Sequence, residues 1–180
     1  MTGLSFRPAT PDDIDAIVAL VTSAYRGDAS RAGWTTEADL LDGARIDPDV
    51  LRADIERDNS IVLLAEAGDA GDGEDRLQAC AHVAVEDGGG YFGMFAVRPG
   101  LQGAGTGRMV LAECERIARD EWQLPFMRMT VLVQRGELIA WYQRRGYRRT
   151  GVFKPFPYGD ERFGIPRRDD LRFETLEKAL

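Results

Sequence analysis

Apolar and polar residues change their period along the chain, and these changes predict a mixed α and β fold. Residues 4–7 alternate between the two classes as a short half-buried strand does, and Pro8 ends this pattern. Thr10, Pro11 and Asp13 then form a helix start signal, a capping residue followed by proline and an acid. The apolar residues of this predicted helix recur on one face: Ile14, Ile17, Val18, Val21 and Tyr25.

The segment that follows this helix favours further helices. Gly27 is expected to end the first helix, and residues 28–34 are expected to form a loop. Two more helices should begin at Thr36 and at Asp47. The N-terminal third is therefore predicted to be mainly helical.

Two apolar runs, at residues 61–65 and 78–85, predict the strands of a hairpin. The segment 68–75 between them is rich in glycine and aspartate, but its spacing does not match a calcium-binding loop, so a solvated hairpin tip is expected. Residues 91–97 are almost continuously apolar, which is typical of a strand buried on both faces.

The second half of the chain alternates helices and strands. Helices are predicted over residues 107–121 and 137–145, and strands over residues 126–133, 147–153 and 171–176. The order of elements is mixed throughout, without an internal repeat.

Composition indicates one globular domain over residues 1–180. With 44% hydrophobic and 29% charged residues, the chain can bury a core without a disulfide or a metal. His82 is the only histidine and no Cys-x-x-Cys pair occurs, so no metal site is expected. No apolar run approaches the roughly 18 residues of a membrane helix, and no basic signal segment is found, so we expect a cytoplasmic protein without a membrane partner.

The charge is distributed unevenly along the chain. Residues 1–90 carry 7 basic and 19 acidic side chains, whereas residues 91–180 carry 16 and 11, so the halves have net charges of -12 and +5. A chain with an overall charge of -7 repels a phosphate backbone at long range, and nucleic acid is therefore not the expected partner. The positive charge of the second half is still compatible with a local anion-binding site there.

The segment from Val97 to Arg108 contains the strongest chemical signal. It places closely spaced glycines between a predicted buried strand and the start of an amphipathic helix. Such glycines let several backbone N–H groups converge, and the helix N-terminus adds about half a positive charge there. This is an anion-binding arrangement, most simply for a phosphate or pyrophosphate, to which Arg98 and Arg108 could contribute.

Two common phosphate loops do not match this segment. A Walker loop requires lysine after its last glycine, but Gly105 is followed by Thr106 and Gly107. A dinucleotide-binding loop requires glycine where Arg108 stands.

Gln102, Gly105 and Gly107, preceded by Val97-x-Pro99, instead resemble the acyl-CoA-binding loop of the GNAT superfamily of N-acyltransferases. The resemblance implies a mixed, mostly antiparallel central sheet that is splayed in the middle and flanked by helices on both faces. It also implies acetyl-CoA as co-substrate, with the loop amides on the pyrophosphate and the preceding strand on the pantetheine. The cofactor-binding residues implied in this way are Phe95, Ala96, Val97, Gln102, Gly103, Ala104, Gly105, Thr106, Gly107 and Arg108.

Tyr142, Gly146 and Tyr147 resemble a second segment of the same family. In many members the matching tyrosine protonates the departing CoA thiolate, which implies the same catalytic role for Tyr142. A phenol with a pKa of about 10 is protonated at neutral pH and can donate to a thiolate whose conjugate acid has a pKa of about 8.5. The alternative role of Tyr142 is to pack its helix against the sheet.

The chain departs from the family pattern at three positions. Arg135 and Leu138 stand where asparagine and alanine are common, which affects a usual CoA contact. Tyr91 occupies the position at which some members carry a carboxylate base.

A general base must therefore come from another strand or from water. His82 and Glu86 lie on one face of the predicted strand 78–85 and its end, and either could relay a proton. The alternative is that both have only structural or solvated roles. A water chain could also deprotonate the amine.

Trp34 and Glu37 lie between helices that border the acceptor pocket in the family. Glu37 could attract a cationic amine and Trp34 could form a wall of the pocket. The alternative is that Trp34 fills the core and Thr36 caps a helix. The aromatic loop 153–166 could cover the other side of the same pocket.

The first functional hypothesis is an enzyme that transfers an acetyl group directly from acetyl-CoA to a primary amine of a small molecule or peptide. The acidic first half of the chain agrees with a cationic acceptor. The second hypothesis is an acyl-CoA-binding sensor or interaction module without turnover. The oligomeric state stays open between a monomer and a homodimer.

Overall fold

A computed structural model of the protein describes residues 3–34, 36–68 and 76–180. Its strands are β1 (Leu4–Pro8), β2 (Leu41–Asp42), β3 (Ser60–Ala67), β4 (Leu77–Glu86), β5 (Gly89–Val97), β6 (Phe126–Leu132), β7 (Arg148–Pro155), β8 (Ile165–Pro166) and β9 (Arg172–Ala179). Its α-helices are α1 (Ile14–Tyr25), α2 (Gly27–Ser30), α3 (Pro48–Glu56), α4 (Thr106–Arg116) and α5 (Gly136–Gln143). A π-helical segment, Ile117–Glu121, continues α4.

The central sheet has the strand order β1-β3-β4-β5-β6-β9-β7. All neighbouring strands are antiparallel except β5 and β6, which are parallel and pair only at Gly90 with Met127 and at Tyr91 with Arg128. Beyond Tyr91 the two strands diverge. The mostly antiparallel sheet with a splayed middle is therefore confirmed.

A bulge interrupts β5 at the point where it separates from β6. The register against β4 shifts between Cys80 and His82, and Met94 has a φ of +46°. A non-glycine residue in this left-handed region marks a local bend that the surrounding structure must stabilise. The bend lies beside the opening between β5 and β6.

Helices cover both faces of the sheet because β3 and β4 are apolar on both sides. Residues Ala79, Ala81 and Val83 of β4 pack in a core with α4 and α5, whereas Cys80 packs in a second core with α1 and α3. The alternation of side chains along a strand produces these two cores. It also places His82 on the same face as Cys80.

The structure corrects two expectations for the N-terminal third. Residues after Thr36 form only a turn, in which the amides of Leu40 and Leu41 donate to the Glu37 carbonyl, and no helix begins there. Gly27 begins the short helix α2 rather than ending α1, which stops at Tyr25 because Arg26 is extended. The helix expected at Asp47 is confirmed, with the Asp47 carboxylate accepting from two amides of its first turn.

The remaining elements agree with the sequence apart from their ends. Strands β7 and β9 extend to Pro155 and Ala179. The two-residue strands β2 and β8 form a second small sheet that the sequence pattern did not indicate. The hairpin joining β3 to β4 forms as expected, but residues 69–75 of its tip lie outside the described residues.

Within the described part of the chain, no helix is long and apolar enough to cross a membrane. The same residues contain no group of three or more histidine, cysteine, aspartate or glutamate side chains arranged to hold a metal ion.

Candidate active site

The glycine loop connects the end of β5 to α4. Gly103 and Gly105 have φ angles of +90° and +91°, a conformation that L side chains rarely adopt. The described residues supply no acceptor for the amide hydrogens of Gly103, Gly105 and the first helical residues Thr106, Gly107 and Arg108. Because these donors lie together at a helix N-terminus, the loop has the geometry of an anion site. Arg108 is exposed beside it.

Two polar side chains expected near this anion site make internal contacts. The Gln102 amide donates to the Val97 carbonyl at 3.1 Å and accepts from the Trp34 amide at 3.0 Å, so it ties the loop to the end of β5. The Arg98 guanidinium donates to the Leu77 carbonyl at 2.8 Å on β4. The loop can therefore offer an anion its backbone amides and Arg108.

Three adjoining cavities run from the glycine loop into the protein. The first, which we call the mouth cavity, has a volume of about 40 Å³ and is lined by Gly103, Gly107 and Trp141 among others. The second, the middle cavity, has a volume of about 60 Å³ and contains Tyr142 in its wall. The third, the large cavity, has a volume of about 290 Å³ and contains His82 in its wall.

Shared wall residues show that the three cavities adjoin. The mouth and middle cavities have Tyr25, Phe95 and Leu138 in common. The middle and large cavities share residues of β5, β6, β9 and the segment between α2 and α3: Glu37, Arg45, Gly93, Met94, Thr130, Leu132 and Phe173. The three cavities therefore lie side by side along the opening between β5 and β6, next to the bulge at Met94, and we call this row of cavities the passage.

Tyr142 lies in the wall of the middle cavity. Its side chain is buried, and the rings of Phe92, Trp141 and Tyr147 contact it edge to face. Burial raises the pKa of the Tyr142 hydroxyl above its usual value of 10, so the phenol keeps its proton throughout the neutral range. The described residues provide no hydrogen-bond partner for this hydroxyl, which leaves its proton available to a ligand in the middle cavity.

The carbonyls of β5 that face the opening have side-chain partners. The Tyr25 hydroxyl donates to the Phe95 carbonyl, and Gln102 donates to that of Val97. A carbonyl oxygen has two lone pairs, so each can accept a second hydrogen bond from a ligand. Ala96, between them, is buried and pairs with Cys80 of β4.

His82 is buried in the wall of the large cavity. The Ser60 hydroxyl donates to the Asp54 carbonyl at 2.6 Å and lies 2.8 Å from His82 Nε2. Because the one hydroxyl proton is used, Nε2 must donate to Ser60, and in the neutral ring Nδ1 holds the free lone pair. Burial lowers the pKa of His82, although Asp54 opposes this with its Oδ2 atom 3.7 Å from Nδ1. The ring is therefore neutral and basic at Nδ1 near pH 7.

The other expected acceptor-site residues are dispersed. Glu86 is exposed and pairs with Arg57 at 3.3 Å outside the three cavities. Trp34 lines the mouth cavity rather than the large one, with its ring 6.5 Å from that of Trp141. Tyr91 lies in the wall of the large cavity, in edge-to-face contact with the His82 ring, and burial raises the pKa of its hydroxyl.

Glu37 lies between the middle and large cavities, surrounded by arginines. It pairs with Arg26, with Arg135 at 3.0 Å and with Arg45 at 3.5 Å. Burial alone would raise the pKa of Glu37, but the three guanidinium groups, Arg135 first, outweigh it and hold the pKa below its usual value. This environment does not suit the role expected for Glu37 as an attractor of cationic amines, because its charge is already more than balanced.

Several residues of the passage were not indicated by the sequence as site residues. Tyr25 was assigned only to the apolar face of its helix, and its hydroxyl contact with β5 has no sequence signal. Arg26 and Arg45 lie in irregular segments, where no periodicity indicates a direction for their side chains. Asp54 is on the polar side of α3, and its position beside His82 likewise had no sequence signal.

Comparisons with known proteins agree with this geometry. The sequence profile of the acetyltransferase (GNAT) domain matches residues 58–149, which include β4, the glycine loop and Tyr142. A search of curated proteins finds no significant match.

Solved structures share the fold. The ribosomal-protein-S18-alanine N-acetyltransferase from Escherichia coli superposes with a TM-score of 0.67 at 12% identity, covering 98% of this chain and 94% of that one. The spermidine/spermine N-acetyltransferase from Vibrio cholerae superposes with a TM-score of 0.65 at 14% sequence identity. The match covers 98% of this chain and 92% of that one. The PaiA N-acetyltransferase from Thermoplasma acidophilum in complex with coenzyme A has a TM-score of 0.65 at 13% sequence identity, and the match covers 99% of each chain. The matched profile spans more than half of the sequence, and the chain belongs to the GNAT family of acetyltransferases.

Proposed function

We propose that the protein transfers an acetyl group from acetyl-CoA directly to the primary amine of a small molecule. The observation that carries this proposal is the passage that joins the glycine loop, Tyr142 and the large cavity. A CoA bound at the loop can extend along β5 to Tyr142, while an amine reaches the same point from the opposite side. The volume of about 290 Å³ is near the lower end for ligand pockets, which favours a small acceptor.

The residues present suit acetyl-CoA. The pyrophosphate would be held by the amides that have no acceptor among the described residues, those of Gly103, Gly105, Thr106, Gly107 and Arg108. The Phe95 and Val97 carbonyls would accept from the pantetheine amides. Acetyl-CoA supplies the activated thioester. Trp141 and Phe95, with ring centroids 5.9 Å apart, form an apolar lining for the pantetheine arm near Gly107.

Tyr142 and His82 would divide the proton transfers between them. The Tyr142 hydroxyl, kept protonated by burial, would donate its proton to the departing sulfur. The His82 ring is neutral, and its Nδ1 atom lies 3.7 Å from Asp54 Oδ2. Nδ1 would accept a proton, through water, from the ammonium group of the acceptor. The amine could then attack without a covalent enzyme intermediate.

Calorimetry combined with a thiol-release assay tests the proposal. We expect acetyl-CoA to bind the purified protein and the release of free thiol to depend on added amine. Binding without amine-dependent thiol release would contradict acetyl transfer and favour an acyl-CoA sensor. Absence of binding at millimolar acetyl-CoA would contradict both functions.

A further inference from the structure

The cluster formed by Glu37, Arg26, Arg45 and Arg135, which we call the arginine cluster, has an excess of positive charge. Three guanidinium groups share the single carboxylate of Glu37, which, over the residues that the structure describes, is the one carboxylate paired with Arg26 and with Arg45. Among the described residues, neither Arg26 nor Arg45 has another carboxylate within 4 Å. Buried positive charge of this kind is costly unless an anion compensates for it.

Unused hydrogen-bond donors accompany this charge. Arg26 has only 4% of its side chain exposed, and its Nε and one terminal nitrogen have no hydrogen-bond partner within the described part of the chain. Buried polar atoms normally have a partner, so these two atoms require an explanation. Arg45 makes no hydrogen bond to the described residues, and 31% of its side chain is exposed in the wall of the large cavity.

The arginine cluster is held in place by Tyr25. The guanidinium carbons of Arg45 and Arg135 lie 5.1 and 5.3 Å from the centre of the Tyr25 ring. These cation–π contacts orient the guanidinium groups without consuming all of their N–H donors. The cluster is therefore a preformed set of donors that can bind an anion.

The other titratable groups of the large cavity do not neutralise the cluster. The Asp47 carboxylate caps α3, and Asp54 faces His82. Tyr91 is neutral because burial raises its pKa, and Arg162 pairs with a neighbouring aspartate of its own turn. The end of the cavity nearest the arginine cluster thus stays positive.

The position of the cluster constrains the molecule that it can bind. Arg45 and Glu37 line both the middle and the large cavity, so an anion held there lies close to Tyr142 and the point of transfer. The amine and the anion must then be separated by few bonds. Apolar residues farther along the cavity, Ile46, Leu51 and Phe156, could contact a side chain.

Resting on the proposed acetyl transfer, we infer that the acceptor is a small α-amino acid, whose carboxylate binds Arg45 at the exposed edge of the arginine cluster. Guanidinium groups bind carboxylates through paired, charge-assisted hydrogen bonds. The carboxylate would restore the charge balance that Glu37 alone does not provide. A polyamine would place further positive charge against the cluster.

The test compares matched acceptors in the thiol-release assay. Each α-amino acid in a panel of apolar and polar side chains is paired with its carboxamide and with its decarboxylated amine. A charged hydrogen bond contributes about 1.5–3 kcal/mol, so we expect kcat/KM to be about 10- to 100-fold higher for the preferred acid than for its neutral partners.

Variants of Arg45 test whether the arginine cluster causes the preference for the acid over its neutral partners. Arg45→Gln should remove most of the preference for the acid while leaving activity toward the carboxamide nearly unchanged, and Arg45→Lys should retain part of the preference. Arg52→Gln is the matched control, because Arg52 is half-exposed and pairs only weakly with Glu56 at 3.7 Å. Melting temperatures of the three variants verify folding.

The outcomes separate this inference from the proposed function. Equal kcat/KM for acids, carboxamides and spermidine would overturn the inference while acetyl transfer stands. An equal loss for acid and carboxamide in Arg45→Gln would likewise overturn it, because Arg45 would then serve the reaction itself. Bound acetyl-CoA with no thiol release for any amine would overturn acetyl transfer and the inference together.

Discussion

At the residue scale, Tyr142 and His82 have opposite proton-transfer properties for the same physical reason. Burial disfavours the charged form of each group, which keeps the Tyr142 phenol protonated and the His82 imidazole neutral. One side chain is therefore a proton donor and the other a proton acceptor at neutral pH. They lie on different elements, α5 and β4, in the walls of the middle and large cavities.

Replacing Tyr142 with phenylalanine tests the donor. The ring contacts with Phe92, Trp141 and Tyr147 would persist, so the fold should be retained. We expect kcat to fall by about 10²- to 10³-fold, within the range of general acid catalysis, with little change in the KM for acetyl-CoA. Steady-state kinetics measure this, and an unchanged kcat would contradict the assignment.

The pH profile of His82→Gln tests the acceptor. In the wild type, kcat/KM should fall at acid pH as His82 becomes protonated, with a midpoint below 6.5 because burial lowers its pKa. His82→Gln should have lower activity and lack this acidic limb. Glu86→Gln serves as the control, since Glu86 is exposed and outside the cavities. An identical acidic limb in the histidine variant would exclude His82 as the base.

The sequence indicated these residues to different degrees. Tyr142 could be assigned because it stands at a fixed distance from Gly146 in a segment typical of the family. The role of Arg45 could not be predicted, because it lies in a loop whose direction depends on contacts with residues distant in sequence, Tyr25 and Glu37. Glu37 was noticed as a charge, but its three partners were not.

At the element scale, the passage lies between the glycine loop and the divergence of β5 from β6. The loop was predictable because closely spaced glycines before an amphipathic helix have one common use. The bulge at Met94 was not predicted, although Gly93 interrupts the apolar run from Tyr91 to Val97 and a glycine inside a strand often marks a bulge. Register shifts depend on the partner strand, here β4.

Gly105→Ala tests the contribution of the loop conformation. At a φ of +91° an alanine is strained, so we expect a loss of about 1–2 kcal/mol in stability and weaker binding of acetyl-CoA. Gly100→Ala is the matched control, because Gly100 lacks a positive φ and a Cβ added there would meet no atom within 4 Å. Thermal unfolding and calorimetry measure both. Equal behaviour of the two variants would contradict the assigned role of Gly105.

At the scale of the whole molecule, the arginine cluster links distant parts of the chain. Glu37 pairs with Arg26, which follows α1, and with Arg135, which precedes α5. Glu37 and Arg135 are 98 positions apart in the sequence, so this one carboxylate joins distant segments. The seven-stranded sheet and its two cores could be anticipated from hydrophobic periodicity and family resemblance. The net charges of the two halves could not reveal the cluster, because Arg26, Glu37 and Arg45 lie in the acidic first half and only Arg135 comes from the second.

The dependence of the unfolding free energy on acid pH tests whether the pairing of Glu37 with the arginines stabilises the fold. The arginines hold the pKa of Glu37 below 4.5, so its stabilising contribution is present above that pH and is lost as the pH falls through the lower, folded-state pKa. Glu37→Gln should lose about 3–5 kcal/mol at pH 7, because the buried Arg26 and Arg135 and the partly exposed Arg45 would lose their counter-charge. The stability of this variant should also depend less on acid pH. Denaturant unfolding at several pH values measures this. A loss below about 0.5 kcal/mol at pH 7 would contradict the link.

The most direct test of the account is product analysis with purified protein, acetyl-CoA and a panel of amines. Mass spectrometry of the amine and a thiol assay on the same sample measure whether both products form. The account predicts one acetylated amine for each free thiol, with formation of both greatly reduced in Tyr142→Phe. Tight binding of acetyl-CoA without acetylation of any amine in the panel would contradict it.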